Sequence, residues 1–317
     1  MTSNIEDRTS NIVLVTGGAG FIGSHLAEAL LERRRRVRIL DNLSGGSRDN
    51  VPRGAEFVEA DLRERGAVAA ALNGVDTVFH LAALASVPRS IERPEETNAV
   101  NVEGTLALFV AAGRANVRRI VFASSSSVYG ETPTLPKHES MTPDPLSPYA
   151  VSKLAGEYYA RTATSHLGVE VVSLRFFNVY GPRQDPGSPY AAVIPIFLAK
   201  LAKEEPLPVF GDGEQTRDFT FVTDVVHGCL LAAEAAGAGG KVYNLAGGRP
   251  VSVADMAHVL GRVAGREVEL EHKPPRDGDI KHSYADSSAA LRDLGYRTSV
   301  GLDEGLRRTW EWFSRRG

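Results

Sequence analysis

The sequence predicts an α/β protein: a doubly wound parallel sheet with a smaller C-terminal α/β lobe attached. Three observations carry that reading. Short β-branched runs alternate with helical stretches through the first 175 or so residues. Gly17, Gly20 and Gly23 stand three apart between the first such run and the first helical stretch. Beyond Arg175 the texture changes, and Pro, Gly and Asp crowd Gly181–Pro189, Pro206–Gly213 and Lys273–Asp279.

The elements follow in order. Ile12–Val15 is a β-branched run closed by glycines, as a buried strand requires. From Phe21 the pattern turns helical, with Ile22, Leu26, Ala29 and Leu30 on one face. Val37–Leu40 is a second strand ending at Asp41, and further strands are expected at Glu56–Val58, Thr77–Leu81, Ile120–Ala123 and Val169–Leu174. Helices are expected at Arg65–Leu72, Glu95–Arg114 and Pro148–His166. In the later part, helices are expected at Ala191–Lys203, Val222–Ala236 and Ser252–Val263. Val242–Leu245 reads as a strand that returns to the main sheet, which makes the smaller lobe discontinuous. The expected division is a nucleotide-binding domain over 11–178, rejoined by about 222–247, and a substrate lobe from 179–221 and 248–317. Residues 1–10 read as a loose polar tail.

Composition excludes several classes of function. The chain has 317 residues, 43% hydrophobic and 24% charged, enough for a sizeable core without staples. Its net charge of -3 gives a nucleic-acid partner no global support. Cys229 is the single cysteine, so neither an internal disulfide nor a cysteine-based metal cluster can form. The histidines show no metal-ligand spacing, and no metal is expected. No apolar stretch is long enough for a membrane span, and the polar start lacks a signal-peptide core, so a cytoplasmic location is expected.

The glycine spacing suits a dinucleotide. The turn needs residues without a β-carbon, and a pyrophosphate needs close approach to free N–H groups at a helix N-terminus. Asp41, ending the next strand, can accept from both ribose hydroxyls, and its charge repels a 2′-phosphate, which favours NAD over NADP. The Arg33–Arg36 run reads as a solvated helix end. Asp61 suits either an adenine contact or a helix cap.

Ser147-Pro148 reads as an N-cap and first helical residue, followed by Tyr149 and Lys153 one turn apart on one face. Tyrosine ionises near pH 10, so a nearby ammonium is needed to make it a usable base at neutral pH. Alone the pair is an ordinary surface feature; downstream of a nucleotide turn it reads as catalytic. Ser124–Ser127 sits at a strand end facing the ligand crevice, where each hydroxyl needs a partner or a task.

With these motifs the chain resembles the extended short-chain dehydrogenase/reductase family, whose core is a Rossmann domain, and within it the NAD-dependent nucleotide-sugar 4-epimerases. The resemblance runs from Asn11 to about Leu306 through TGGAGFIGSH, DNLS, HLAA, NVEGT, SSSSVYG, YAVSK, RFFNVYGPRQDP and GDGEQTRDF. It implies that Tyr149 is the acid/base, Lys153 its electrostatic partner and a ribose ligand, and Ser125 the proton-relaying serine, with Ser126 beside it. It implies cofactor contacts from Gly17, Gly20, Phe21, Ile22, Asp41, Asn42, Asp61, Leu62, Leu81, Ala82, Ala83, Asn101 and Phe176. Substrate contacts would come from Ser86, Ser125, Ser126, Ser127, Asn178, Val193, Arg217, Arg276, Asp279 and Ser283. Arg217 and Arg276 would neutralise the diphosphate, and Asp279 would meet the nucleotide ribose. The implied reaction oxidises carbon 4 of the sugar to a ketone, turns the ketone over and reduces it from the other face, with no net redox change.

Departures from related families narrow the substrate. The 4,6-dehydratases carry an Asp-Glu pair where this chain has Ser126 and Ser127, so dehydration lacks its acid and base. Glucuronate 4-epimerases carry an arginine at Asp185 and a threonine at Asn178, which disfavours a uronate here. Where galactose-type enzymes place a tyrosine that excludes an N-acetyl group, this chain has Ser283. Ser86, in ALASVPRS, resembles the segment lining an N-acetyl pocket. The expected substrates are UDP-GlcNAc/UDP-GalNAc and UDP-glucose/UDP-galactose, with UDP-glucuronate or a dTDP-sugar as alternatives and a non-catalytic NAD-binding protein as a remote one. The resemblance also implies a homodimer, with helices near Val100–Ala112 and Tyr149–Ala163 forming the intersubunit four-helix bundle that relatives use.

Overall fold

The computed structural model describes residues 12–185, 192–275 and 281–315. The chain runs β1 (Ile12–Thr16), α1 (Phe21–Glu32), β2 (Arg36–Asp41), β3 (Glu56–Glu59), α2 (Arg65–Ala71) and β4 (Val75–His80). Then come α3 (Val87–Glu92), α4 (Pro94–Asn98), a π-helical turn (Ala99–Gly104), α5 (Thr105–Arg114), β5 (Arg119–Ser125), α6 (Pro148–His166) and β6 (Glu170–Phe176). The later part holds β7 (Val179–Tyr180), α7 (Val193–Ala202), β8 (Leu207–Phe210), β9 (Thr216–Asp218), β10 (Thr220–Phe221), α8 (Val222–Glu234) and β11 (Val242–Leu245). It closes with β12 (Pro250–Ser252), α9 (Val253–Ala264), β13 (Leu270–Lys273), β14 (His282–Ser283), α10 (Ser288–Leu294) and α11 (Leu302–Ser314).

Among the described residues the main sheet has seven strands in the order β11-β6-β5-β4-β1-β2-β3. Every pairing in it is parallel. This is a doubly wound Rossmann sheet, whose order reverses between β1 and β4 and so opens a crevice at the carboxyl ends of the strands. β1 shows why such strands read as unbroken apolar runs. Val13 and Val15 join the core packed against α1 and α8, while Ile12 and Leu14 join the core packed against α2 and α5. Successive side chains point to opposite faces, and both faces are covered.

Val242–Leu245 pairs with β6 from Ser173 to Phe176, so the strand expected to return to the sheet does so. A third core gathers Tyr180, Phe197, Leu207, Val209, Met256, Leu260 and Leu306 outside the sheet.

Two local differences bear on the site. Val87–Glu92 is a short helix capped by Ser86, which its Ser-Val-Pro-Arg composition did not suggest. The expected helix over Glu95–Arg114 is interrupted by the π turn, which buries both Val100 and Asn101. An ordinary turn would carry neighbouring residues farther apart around the axis, whereas the widened turn leaves Asn101 facing the loop after β4 and α6. β4 ends at His80 rather than Leu81, and β5 extends to Ser125, so two of the four serines belong to the strand itself.

Candidate active site

Three consecutive residues of β5 face three residues of α6. Ser125 lies close enough to Tyr149 to favour its ionised form. The Ala123 carbonyl accepts from Lys153 Nζ at 2.8 Å. Ser124 Oγ donates to Glu157 Oε1 at 2.5 Å. Positions 149, 153 and 157 are one turn apart and share a face of the helix. The helix starts where sequence chemistry placed it: Ser147 Oγ accepts from Ala150 N at 3.2 Å, and Pro148 follows at the first helical position. Its close approach to β5 depends on Gly156, where a β-carbon would stand 2.4 Å from the Phe122 ring.

Burial sets the electrostatics. Lys153 is 4% exposed, and desolvation pulls its ammonium down to about 8. Burial raises the Tyr149 phenol above its ordinary range, and the neighbouring Ser125 hydroxyl opposes that shift. Ser125 Oγ accepts from both the N–H and the hydroxyl of Ser127, at 3.2 and 2.9 Å. With its lone pairs so engaged, its own proton is directed at Tyr149 or a substrate oxygen. His80 lies beneath, 1% exposed, bridging Thr16 at 2.7 Å and Thr105 at 2.9 Å. Burial, helped by the Lys153 charge, lowers it to about 3, so it is neutral at physiological pH.

A cleft of about 370 Å³ runs from Tyr149 and Lys153 along the strand ends to Asp41. It brings together Gly17, Gly20, Phe21, Ile22, Asp41, Asn42, Asp61, Leu62, Leu81, Ala82, Ala83, Tyr149, Lys153 and Phe176. Its floor is a cradle that only glycine permits. Gly17 has φ +72°, and a β-carbon there would lie 2.7 Å from Ala82 N; one on Gly23 would lie 2.1 Å from Gly17 O. Asp41 accepts from Ala19 N at 2.9 Å and Leu43 N at 2.8 Å, which fixes its carboxylate at the cleft with lone pairs to spare. Asp61 is gripped by Arg63 through two bonds of 2.8 Å and by Asn42 at 2.7 Å. Those bonds, Arg63 foremost, hold its carboxyl well below the usual range. It is not the cap of α2, whose N-cap is Glu64. An open floor, backbone N–H groups at a helix start and a fixed acid at the far end together fit a dinucleotide.

Asn101 stands behind the wall rather than in it. Its amide accepts from Leu84 N at 2.8 Å and donates to Leu84 O and Ser152 Oγ, both at 3.1 Å, so it shapes the strand end. Sequence reasoning missed Ser44, Gly45 and Gly46, together with Arg63, Arg89 and Glu96, all of which line the cleft; Ser124, placed with its run at the crevice but given no role of its own, lines it too. Gly46 had a readable signal in the DNLSGG turn: a β-carbon there would meet Ala19 O at 2.6 Å.

A second cavity of about 320 Å³ lies in the smaller lobe and gathers Asn178, Val193 and Arg217. Tyr180, Phe197, Phe210 and Phe219 supply flat apolar walls that sequence reasoning did not find. Asn178 takes a positive φ of 33°, a conformation asparagine tolerates better than most residues. Arg217 donates to the carbonyls of Thr216 and Lys281 at 2.9 and 3.3 Å. Ser283 sits beside it in register on β14. Ser86 caps α3 by accepting from Arg89 N at 3.2 Å. Ser126 and Ser127 are half-buried in the turn after β5. Arg276 and Asp279 lie outside the described residues.

Among the described residues no group of three or more His, Cys, Asp or Glu is placed to hold a metal, and no helix is long and apolar enough to cross a membrane. Sheet order, glycine cradle and the tyrosine–lysine pair define a dinucleotide-dependent enzyme of the extended short-chain dehydrogenase/reductase type. The NAD dependent epimerase/dehydratase family model matches residues 13–246, and the chain belongs to that family. It is 40% identical to a UDP-glucose 4-epimerase of Mycolicibacterium smegmatis, across 95% of this chain and 97% of that one. The fold is similar to that of a UDP-N-acetylglucosamine 4-epimerase of Methanobrevibacter ruminantium, solved with UDP-N-acetylmuramic acid. The TM-score is 0.93 at 39% identity, covering 97% of this chain and 99% of that one. A UDP-glucose 4-epimerase of Thermotoga maritima, solved with UDP-glucose, gives 0.92 at 38% identity, covering 96% and 99%.

Proposed function

We propose that this protein is an NAD-dependent 4-epimerase of UDP-sugars, acting on UDP-GlcNAc/UDP-GalNAc and on UDP-glucose/UDP-galactose. The observation that carries this reading is Tyr149, beside Ser125 and one turn from the Lys153 ammonium, in a cleft that also holds Asp41.

The glycine turn and Asp41 would hold the dinucleotide, and Lys153 would hold the ribose nearest Tyr149. When bound, NAD supplies the two-electron acceptor and donor that the sugar's carbon 4 requires. Tyr149 Oη removes the proton from the carbon-4 hydroxyl and later returns it. Ser125, already polarised by Ser127, would donate to that oxygen, and the Lys153 charge favours the phenolate. Ser126 and Ser127 offer no acid–base pair, so a ketone formed at carbon 4 keeps its carbon-6 hydroxyl. The apolar walls of the second cavity suit a flat base, and Arg217 with Arg276 suits a diphosphate. The chain is read as two lobes, 11–178 with about 222–247 against 179–221 with 248–317, which places the sugar between the two cavities. A homodimer is favoured by the α6 face: Val151 and Tyr158, two turns apart, are 51% exposed, and Leu146 beside them is 62% exposed.

The test is to incubate the purified protein, with no added cofactor, with UDP-glucose and separately with UDP-GlcNAc, and to follow the anomeric and carbon-4 protons by NMR. Galacto product from both is expected. Product from UDP-glucose alone would remove the N-acetyl assignment, and product from neither would send the substrate to a dTDP-sugar or a uronate.

A further inference from the structure

Ser124 has no task in the reaction proposed above, yet it lines the dinucleotide cleft beside Ala123, Tyr149, Lys153 and Phe176. It is 3% exposed, so its hydroxyl meets only protein atoms and whatever fills the cleft. Its single proton goes to Glu157 at 2.5 Å. Glu157 in turn accepts from Arg175 Nε at 2.9 Å and from a terminal guanidinium nitrogen at 2.7 Å, with both side chains 4% exposed. An ionised carboxylate has no proton to give back. The direction of the serine bond is therefore fixed, and only lone pairs remain for the cleft. A serine in that state recognises a donor and nothing else.

The neighbouring groups are of the opposite kind: the Lys153 ammonium and the Ser125 proton are both donors, suited to oxygen atoms of a ribose or sugar. An acceptor-only atom at this end of the cleft needs a different ligand group. We propose that Ser124, held as an obligate acceptor by the Glu157–Arg175 pair, takes a hydrogen bond from the carboxamide N–H of the nicotinamide and so fixes the orientation of the ring. The assignment rests on reading the cleft as an NAD site. Ser124 is a cofactor-binding residue in it; Glu157 and Arg175 are positioning residues that touch neither cofactor nor sugar.

The probe is 3-acetylpyridine adenine dinucleotide, in which a methyl group replaces the carboxamide nitrogen. Purified holoprotein, wild type and Ser124→Ala, is dialysed to equilibrium against an equimolar mixture of NAD and this analogue, and the bound nucleotides are counted by mass spectrometry. Wild type should retain NAD over the analogue by about tenfold, the weight of one such hydrogen bond, and Ser124→Ala should bring the ratio close to one. Ser124→Cys, with similar volume and a weak acceptor, should also lower the ratio and serves if the alanine variant does not fold. An unchanged ratio in the variants, or no preference in wild type, overturns the assignment. Wild type that binds neither nucleotide removes the cofactor reading itself, and this assignment with it.

Discussion

Glu157 stands one helical turn beyond Lys153 and accepts the hydroxyl proton of Ser124, so the helix that carries the proposed base is bonded to the strand end at two successive residues, Ala123 and Ser124. The same carboxylate makes a two-point ion pair with Arg175 on β6, 4% exposed on both sides. Removing one charge leaves the other buried and unmatched, which costs about 3–5 kcal/mol. Glu157→Gln should lower stability by that amount in urea unfolding. Replacing Glu157 and Arg175 together by apolar residues should cost less than the single change. Equal stability of Glu157→Gln and wild type would mean the pair is not closed in solution.

Tyr149→Phe removes the phenol oxygen beside Ser125 and leaves the ring in place. Epimerisation should fall by about 10²–10⁴, the usual weight of a positioned acid–base group, while bound NAD measured after gel filtration stays at the wild-type level. Wild-type turnover in the variant would return the chain to a non-catalytic NAD-binding role.

Acid should weaken the fold through His80. In the folded protein His80 takes a proton only at about pH 3, against its ordinary 6.5. Between those values the unfolded chain holds the extra proton, so stability falls as pH drops through that window. His80→Gln keeps an amide donor and acceptor between Thr16 and Thr105 and removes the titration. Its stability should decline less steeply from pH 6.5 to 4; matching slopes would assign the acid loss to other groups.

Ser283 lies in register with Arg217, one of the walls of the second cavity. Ser283→Tyr should reduce turnover of UDP-GlcNAc by about a hundredfold, the scale on which a pocket rejects a group for which it has lost the space. UDP-glucose should be spared. Equal losses on both sugars would place the N-acetyl group elsewhere.

How much of this was legible in the chain varies with the range of the interaction. The bounds of α6 follow from Ser147 and Pro148, because capping acts within one turn. Asp61 was open between cap and cleft; its place was decided by Arg63 and Asn42, the second of which is 19 residues away. The long helix through Asn98 looked regular because periodicity cannot register the extra residue of a π turn, which is held by the bond from Asn101 to the backbone of Leu84. The aromatic walls of the second cavity come from β7, β8, α7 and the residue between β9 and β10, and no single window contains them.

The sequence by itself determined the sheet, the glycine turn, and Tyr149 and Lys153 on one helix face, since these rest on periodicity and on spacings of one to four residues. Only the tertiary structure decided what the hydroxyls of Ser124, Ser125 and Ser127 do. Four adjacent serines are chemically alike until Glu157, Tyr149 and the turn after β5 arrive to take or leave their protons. Those partners are assigned by packing of α6 on β5, and hydrogen-bond direction is a property of the pair, not of the residue.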